Sequence, residues 1–226
     1  INNKALFILC EIQNLMNLVF GVGFTAEYVI RVITEKGLQN VSSVYLFSVW
    51  NPDEYRRRQA EEVINNISKY LDTVKIKYTV KYLDINKDFS GIVLDIASTL
   101  AYMDNLEFYL IGGMRIINLA LYYYALLCKS LGKNVKAFSY TEDMTKKYEV
   151  LLSLPGKVSE SQLEIMRVLE KGEIEIGELA EKLKKSLSTV SKQISDLEEM
   201  GYVSCSETRP KRCKLTQLGE LLLKIE

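Results

Sequence analysis

Three groups of side chains are of a type and spacing that could do chemistry. Ser186, Ser188, Thr189, Lys192 and Ser195 fall within ten residues. At 3.6 residues per turn they occupy faces of a helix away from the apolar stripe Leu187, Val190, Ile194 and Leu197. Ser186 stands where a helix cap is expected. Free amides at a helix start and short hydroxyls suit phosphates and base edges in the major groove of double-stranded DNA. The second group is Arg209, Lys211, Arg212 and Lys214 around Pro210, a basic hairpin pattern that could meet a phosphate backbone or a minor groove. The third is a pair of glycine loops, Gly21-Val22-Gly23-Phe24-Thr25-Ala26 and Gly112-Gly113-Met114-Arg115. Each lies between an apolar run and a helical pattern, so backbone amides could approach an anion, and Arg115 could add a charge-assisted bond to phosphate.

Several chemistries are excluded. Histidine is absent, which removes Ser-His-Asp and Cys-His catalysis and imidazole zinc sites. Cys10, Cys128, Cys205 and Cys213 form no CxxC pair, so no metal site is expected, and no catalytic residue or cofactor is assigned. Cys205 and Cys213 stand symmetrically about Arg209. They are two small wing residues on the plainer reading, or partners across a hairpin. The first glycine loop fits the G-x-G-x-x-A dinucleotide pattern, but that pattern wants an acid at the end of the second strand. The chain has Ser48-Val49-Trp50-Asn51-Pro52 there, which argues against a nicotinamide dinucleotide. Either loop alone could be a tight turn and nothing more. With 29 Lys+Arg against 29 Asp+Glu, any nucleic-acid argument must rest on local charge. No apolar run reaches the roughly 18 residues of a membrane span, and no basic stretch precedes an apolar one at the start. The expectation is a cytoplasmic protein without a membrane partner.

The positioning elements follow from periodicity. From about Met16, apolar runs (17–23, 44–49, 75–83, 108–111, 135–140, 148–154) alternate with helical patterns (25–36, 53–71, 89–103, 114–131). That alternation predicts an α/β domain with a Rossmann-like, mostly parallel sheet, and both glycine loops then lie at its carboxyl edge. A strand-like run, Ala5 to Cys10, precedes the regular pattern. Leu154-Pro155-Gly156-Lys157 breaks it. Beyond lie a helix over 159–171, an extended piece over 173–176, helices over 177–185 and 186–200, Gly201, two short strands and a last helix from Thr216. The predicted domains are 1–154 and 158–226.

Ile176 to Val203, in the order short helix, tight turn, helix, glycine and strand, resembles the winged helix-turn-helix regulators. With Gly23-Phe24-Thr25 and Gly112-Gly113-Met114-Arg115 ahead of it, the chain is similar to the archaeal CRISPR-associated transcriptional regulators. Those join a CARF (CRISPR-associated Rossmann fold) domain to a winged helix-turn-helix. The resemblance implies a homodimer with one pocket across its two-fold axis. It implies a cyclic oligoadenylate ligand, the four-adenylate ring first, and control of CRISPR-associated genes. Carried onto this sequence, the pocket would be lined by Gly23, Phe24, Thr25, Gly112, Gly113, Met114, Arg115 and Asn118, with Trp50 and Asn51 flanking the adenines. The long helix Met114 to Leu131, rich in Leu, Ile and Tyr, is a candidate dimer surface, although a buried core helix reads the same way. In a ring-cleaving relative a lysine would be sought on the glycine-rich loop; Arg115 stands in that region instead, which points to a sensor. Another nucleotide or metabolite as ligand, or a ring nuclease, are the alternatives.

Overall fold

A computed structural model describes residues 15–23, 25–50, 53–153 and 156–226. The run Ala5–Cys10, and Phe24 and Asn51 among the anticipated pocket residues, lie outside the described residues. The chain divides into two compact units, Ile1–Leu154 and Pro155–Glu226. None of the helices described is long and apolar enough to cross a membrane.

The first unit runs β1 (Met16–Gly21), α1 (Glu27–Lys36), β2 (Val41–Val49), α2 (Glu54–Thr73), β3 (Lys77–Leu83), α3 (Phe89–Leu100), β4 (Leu106–Tyr109), α4 (Arg115–Ser130), β5 (Val135–Tyr140) and β6 (Lys147–Val150). The sheet order is β3-β2-β1-β4-β5-β6. Strands β1 to β5 are parallel to their neighbours, and β6 is antiparallel to β5. Successive side chains on a strand face opposite ways. Leu18 and Phe20 therefore join the core containing Ile33, Ile67 and Leu71 from α1 and α2. Val19 joins the core with Ile96, Leu100, Ala120 and Leu121 from α3 and α4. The run expected as a strand over 148–154 is shorter and reverses direction. Only residues 141–146 link β5 to β6, with Thr141 N–H bonded to the Lys146 carbonyl at 3.0 Å, and so short a link permits a hairpin but no crossover helix.

The second unit runs α5 (Glu160–Leu169), β7 (Ile174–Glu175), α6 (Ile176–Leu183), α7 (Leu187–Glu199), β8 (Val203–Cys205), β9 (Arg212–Leu215) and α8 (Gln217–Ile225). Ser159 and Gln162 form a capping box at the start of α5, satisfying two amides reciprocally. A three-stranded antiparallel sheet in the order β7-β9-β8 carries the wing. Val190, Ile194 and Leu197 of α7 are buried with Ile165, Met166 and Leu169 of α5 and Leu179 and Ala180 of α6. Leu187, anticipated on that stripe, is not buried: it is 56% exposed. The spacing is right, but Leu187 is the first residue of α7, and helical side chains lean toward the N-terminus. The first-turn leucine thus projects off the end of the core that the next three fill.

Cys205 and Cys213 pair across β8 and β9 and form a disulfide, their Cα atoms 4.0 Å apart. The plainer reading, two small unlinked wing residues, is corrected. The neighbouring residues Ser206 and Arg212 exchange a ladder bond, Ser206 N–H to the Arg212 carbonyl at 2.8 Å, so 205 and 213 occupy the adjacent, close-approach type of pair.

Candidate functional site

Strand order reverses at β1 and β4. The connection after β1 runs to α1 on one face, and that after β4 runs to α4 on the other. Their carboxyl ends open a crevice, the place where open α/β sheets bind ligands. The two glycine loops meet there, backbone against backbone. A Cβ on Gly23 would stand 2.5 Å from the Gly113 nitrogen, and one on Gly112 would stand 2.9 Å from the Gly21 carbonyl oxygen. Gly113 has φ +77°, a region that favours glycine. These glycines are thus required by the contact of one loop with the other, whatever else they do.

On one side of this contact lies a cavity of about 420 Å³, lined by Val22, Gly23, Ser48, Val49, Arg56, Ala60, Gly113, Met114, Arg115 and Ile116. Among the described residues two arginines face it and no carboxylate does. Neither guanidinium makes an ion pair among the described residues. The start of α4 has no side-chain cap, which leaves first-turn amides available to an anion. By contrast α2 is capped internally, Asp53 accepting from the Arg56 amide at 2.9 Å. Across the Gly112-Gly113 turn is a second hollow of about 420 Å³, lined by Tyr28, Leu110, Ile111, Gly112, Gly113, Asn118, Tyr140, Thr141, Glu142 and Met144. The Asn118 Oδ1 oxygen is buried there without a hydrogen-bond partner. Burial, with the Glu35 carboxylate close by, pushes the Tyr140 phenol up to about 12.

The anticipated pocket residues are distributed over these features. Gly23, Gly113, Met114 and Arg115 line the cavity, while Gly112 and Asn118 line the hollow. Thr25 borders a different groove, with Glu27, Gln59 and Glu62 between α1 and α2. Trp50 is 55% exposed and lines neither; its ring lies 5.2 Å under the Arg57 guanidinium and edge-on to Tyr82 at 5.9 Å. Arg56 was missed. The run Arg56-Arg57-Arg58 was visible one turn into a helix after the second strand, and a helix start at the carboxyl edge was the available clue.

In the second unit, α6 and α7 form the helix-turn-helix. The turn is held by Lys184 at φ +53°. Ser186 Oγ accepts from the Thr189 amide at 3.2 Å and lies 3.0 Å from Ser188 Oγ and 2.7 Å from Thr189 Oγ1. Ser186, Ser188, Thr189, Lys192 and Ser195 are all exposed, and all but Lys192 are small, so α7 could approach a groove closely. The wing cations are less free than the sequence suggests. Lys211 is paired with Glu198 at 2.8 Å and Arg212 with Glu173 at 3.1 Å. Lys184, Lys192, Arg209 and Lys214 make no ion pair among the described residues.

Residues 16–151 match the Csa3 CRISPR-associated Rossmann-like domain. The chain belongs to the Csa3 CRISPR-associated Rossmann-like family. Residues 159–204 match the bacterial regulatory proteins of the arsR family. The chain therefore joins a CRISPR-associated Rossmann-like domain to the helix-turn-helix of a DNA-binding regulator. Solved structures to which the chain shows some likeness include the MarR family transcriptional regulator Sco5413 from Streptomyces coelicolor, 15% identical, covering 30% of this chain and 51% of that one, with a TM-score of 0.29. A MarR family protein from Bacillus stearothermophilus is 24% identical over 31% of this chain and 51% of its own, with a TM-score of 0.29. Can2 from Sulfobacillus thermosulfidooxidans, in complex with cyclic tetra-adenylate, is 11% identical over 94% of this chain and 62% of its own, with a TM-score of 0.44. The chain spans about half the length of the two MarR-family proteins. At these identities and scores the likenesses carry no argument about activity. No curated protein matches the chain.

Proposed function

We propose that this is a ligand-responsive transcriptional regulator of CRISPR-associated genes, in which the Rossmann-like unit binds a cyclic oligoadenylate and the winged helix-turn-helix binds double-stranded DNA. The observation that carries the ligand reading is the cavity at the strand-order reversal. Among the described residues it presents two arginines, an uncapped helix start and no carboxylate. That is a site for phosphodiester anions: guanidinium groups bind phosphate oxygens in bidentate fashion, and helix amides add partial positive charge. Membership of the CRISPR-associated Rossmann-like family makes the four-adenylate ring the first ligand to test. A ring with two-fold symmetry fits a site built from two copies, and a homodimer presents two recognition helices to a pseudo-palindromic operator. The reading is of a sensor, not an enzyme, and it needs no cofactor. The chain has no histidine, and among the described residues no carboxylate faces the cavity to act as a general base.

Calorimetric titration of the dimer with cyclic tetra-adenylate tests the reading, together with promoter-fragment binding in the presence and absence of the ring. Saturable binding by wild type, lost in Arg56→Ala and in Arg115→Ala, is expected, with a ligand-dependent change in DNA affinity. Ligand can shift DNA affinity only by its differential binding to two states. Absence of binding overturns the ligand assignment, and linear products after incubation would make the chain a nuclease.

A further inference from the structure

We propose that Leu187 reads the C5-methyl group of thymine in the major groove, and so sets part of the operator sequence. The inference rests on the DNA-binding reading above and adds a base-specific contact to it.

The large apolar side chains of the second unit are otherwise accounted for. On α7, Val190, Ile194 and Leu197 are fully buried. Leu187, on the same stripe, has more than half of its surface in water. Its exposed neighbours Ser186, Ser188 and Thr189 bond to one another. At the start of the helix the hydroxyls are therefore already partnered, and the leucine is the group that has none. The remaining large exposed apolar residues of this unit, Leu221 and Ile225, belong to α8, a separate element.

The position then selects the chemistry. Residues at the N-terminal end of a recognition helix are those that meet base edges, while the free amides beside them meet phosphate. Lys184, unpaired in the turn just before, supplies a cation for the adjoining backbone. In the major groove the edges of guanine, cytosine and adenine offer only hydrogen-bond donors and acceptors. Thymine also offers an apolar group, its C5-methyl. A leucine placed on a donor or acceptor would strip it of water without replacing the bond. Placed on the methyl, it removes apolar surface on both sides from water.

The test begins with a randomised 30-base-pair duplex library. Wild type and Leu187→Ser are each used to enrich bound sequences, and each thymine of the wild-type consensus is then replaced by uracil, which deletes only the methyl. At one thymine per half-site, uracil should weaken wild-type binding about fourfold, the equivalent of about 0.8 kcal/mol for one buried methyl. Leu187→Ser should bind the thymine and uracil duplexes alike and should enrich no thymine at that position. Because Leu187 is exposed, the variant should keep the wild-type melting temperature and the wild-type affinity for an unselected duplex at low salt. Uracil tolerated by wild type at every position, or the same discrimination in Leu187→Ser, overturns the inference while leaving DNA binding intact. A wild-type protein that enriches no duplex overturns the DNA-binding reading itself, and this inference with it.

Discussion

Replacing Gly23 by alanine tests whether the two glycine loops are held by contact with each other. The new Cβ would stand 2.5 Å from the Gly113 nitrogen and 3.0 Å from its Cα. Both are backbone atoms, so no rotamer change relieves the overlap, and one loop must retreat by roughly an ångström from its place in a packed sheet edge. Overpacking of this kind costs about 1–3 kcal/mol. For a unit of this size that lowers the melting temperature by roughly 2–12 °C. Gly132 is the matched control. Its φ is +77°, and a Cβ there meets nothing within 4 Å, so Gly132→Ala bears only the left-handed penalty of about 1 kcal/mol. Gly23 carries no such dihedral penalty, so its loss is steric alone. Circular-dichroism melts of both variants decide the matter. If Gly23→Ala melts at the wild-type temperature while Gly132→Ala melts lower, the loops are not packed as described, and their glycines need another explanation.

Three further outcomes follow from named contacts. Glu198→Gln should release Lys211, now 2.8 Å from the carboxylate, to reach phosphate. The slope of log affinity for duplex DNA against log salt should steepen by about 0.9 for each Lys211 that reaches a phosphate; an unchanged slope would mean that Lys211 never reaches the backbone. Reduction of the Cys205–Cys213 disulfide, whose cysteines are eight residues apart, should remove about 2.5 kcal/mol from the second unit by loop entropy. Its thermal transition should fall by roughly 10–20 °C in reductant, and a transition indifferent to reductant would refute this. The hydrogen bond and charge of Lys185 hold the Glu164 carboxyl below its ordinary range. A depressed folded value gives stability that is complete above the unfolded carboxylate's pKa of about 4.3 and lost as pH falls through the folded one. Urea midpoints measured from pH 6 down to pH 3 should therefore fall less steeply in Lys185→Met than in wild type, and parallel curves would contradict the pairing.

Most of the fold was legible because it depends on local periodicity. The alternation of apolar runs with amphipathic stretches carries its own geometry: Leu18 and Phe20 had to face opposite to Val19 once 16–21 was a strand, and right-handed crossovers through α1, α2, α3 and α4 leave few ways to order five parallel strands. The exception at β6 is instructive. The apolar composition of 148–154 says strand, but direction is fixed by the length of the preceding link. The short Thr141–Lys146 turn, with Asp143 Oδ1 accepting from Thr141 Oγ1 and from the Thr145 amide, could be recognised only after both strand ends were known.

The site was legible as loops and not as a set of side chains. The glycine loops announce close backbone approach, and at Gly23 and Gly113 the partner turns out to be the opposite loop, with the cavity beside it. Arg56 enters that cavity because α2 begins beside the end of β2, a relation among three elements that no spacing within one of them contains. The wing shows the same limit in the opposite sense. Arg209, Lys211, Arg212 and Lys214 form one basic cluster in sequence, yet two of the four are neutralised by carboxylates 13 and 39 residues away. Which cations remain for DNA is thus decided by pairing across elements. A chain with balanced charge binds a polyanion through those left over; around α7 and the wing, among the described residues, these are Lys184, Lys192, Arg209 and Lys214. So few phosphate contacts make the non-specific affinity modest. Discrimination among sequences must then come from what the exposed first turn of α7 can touch.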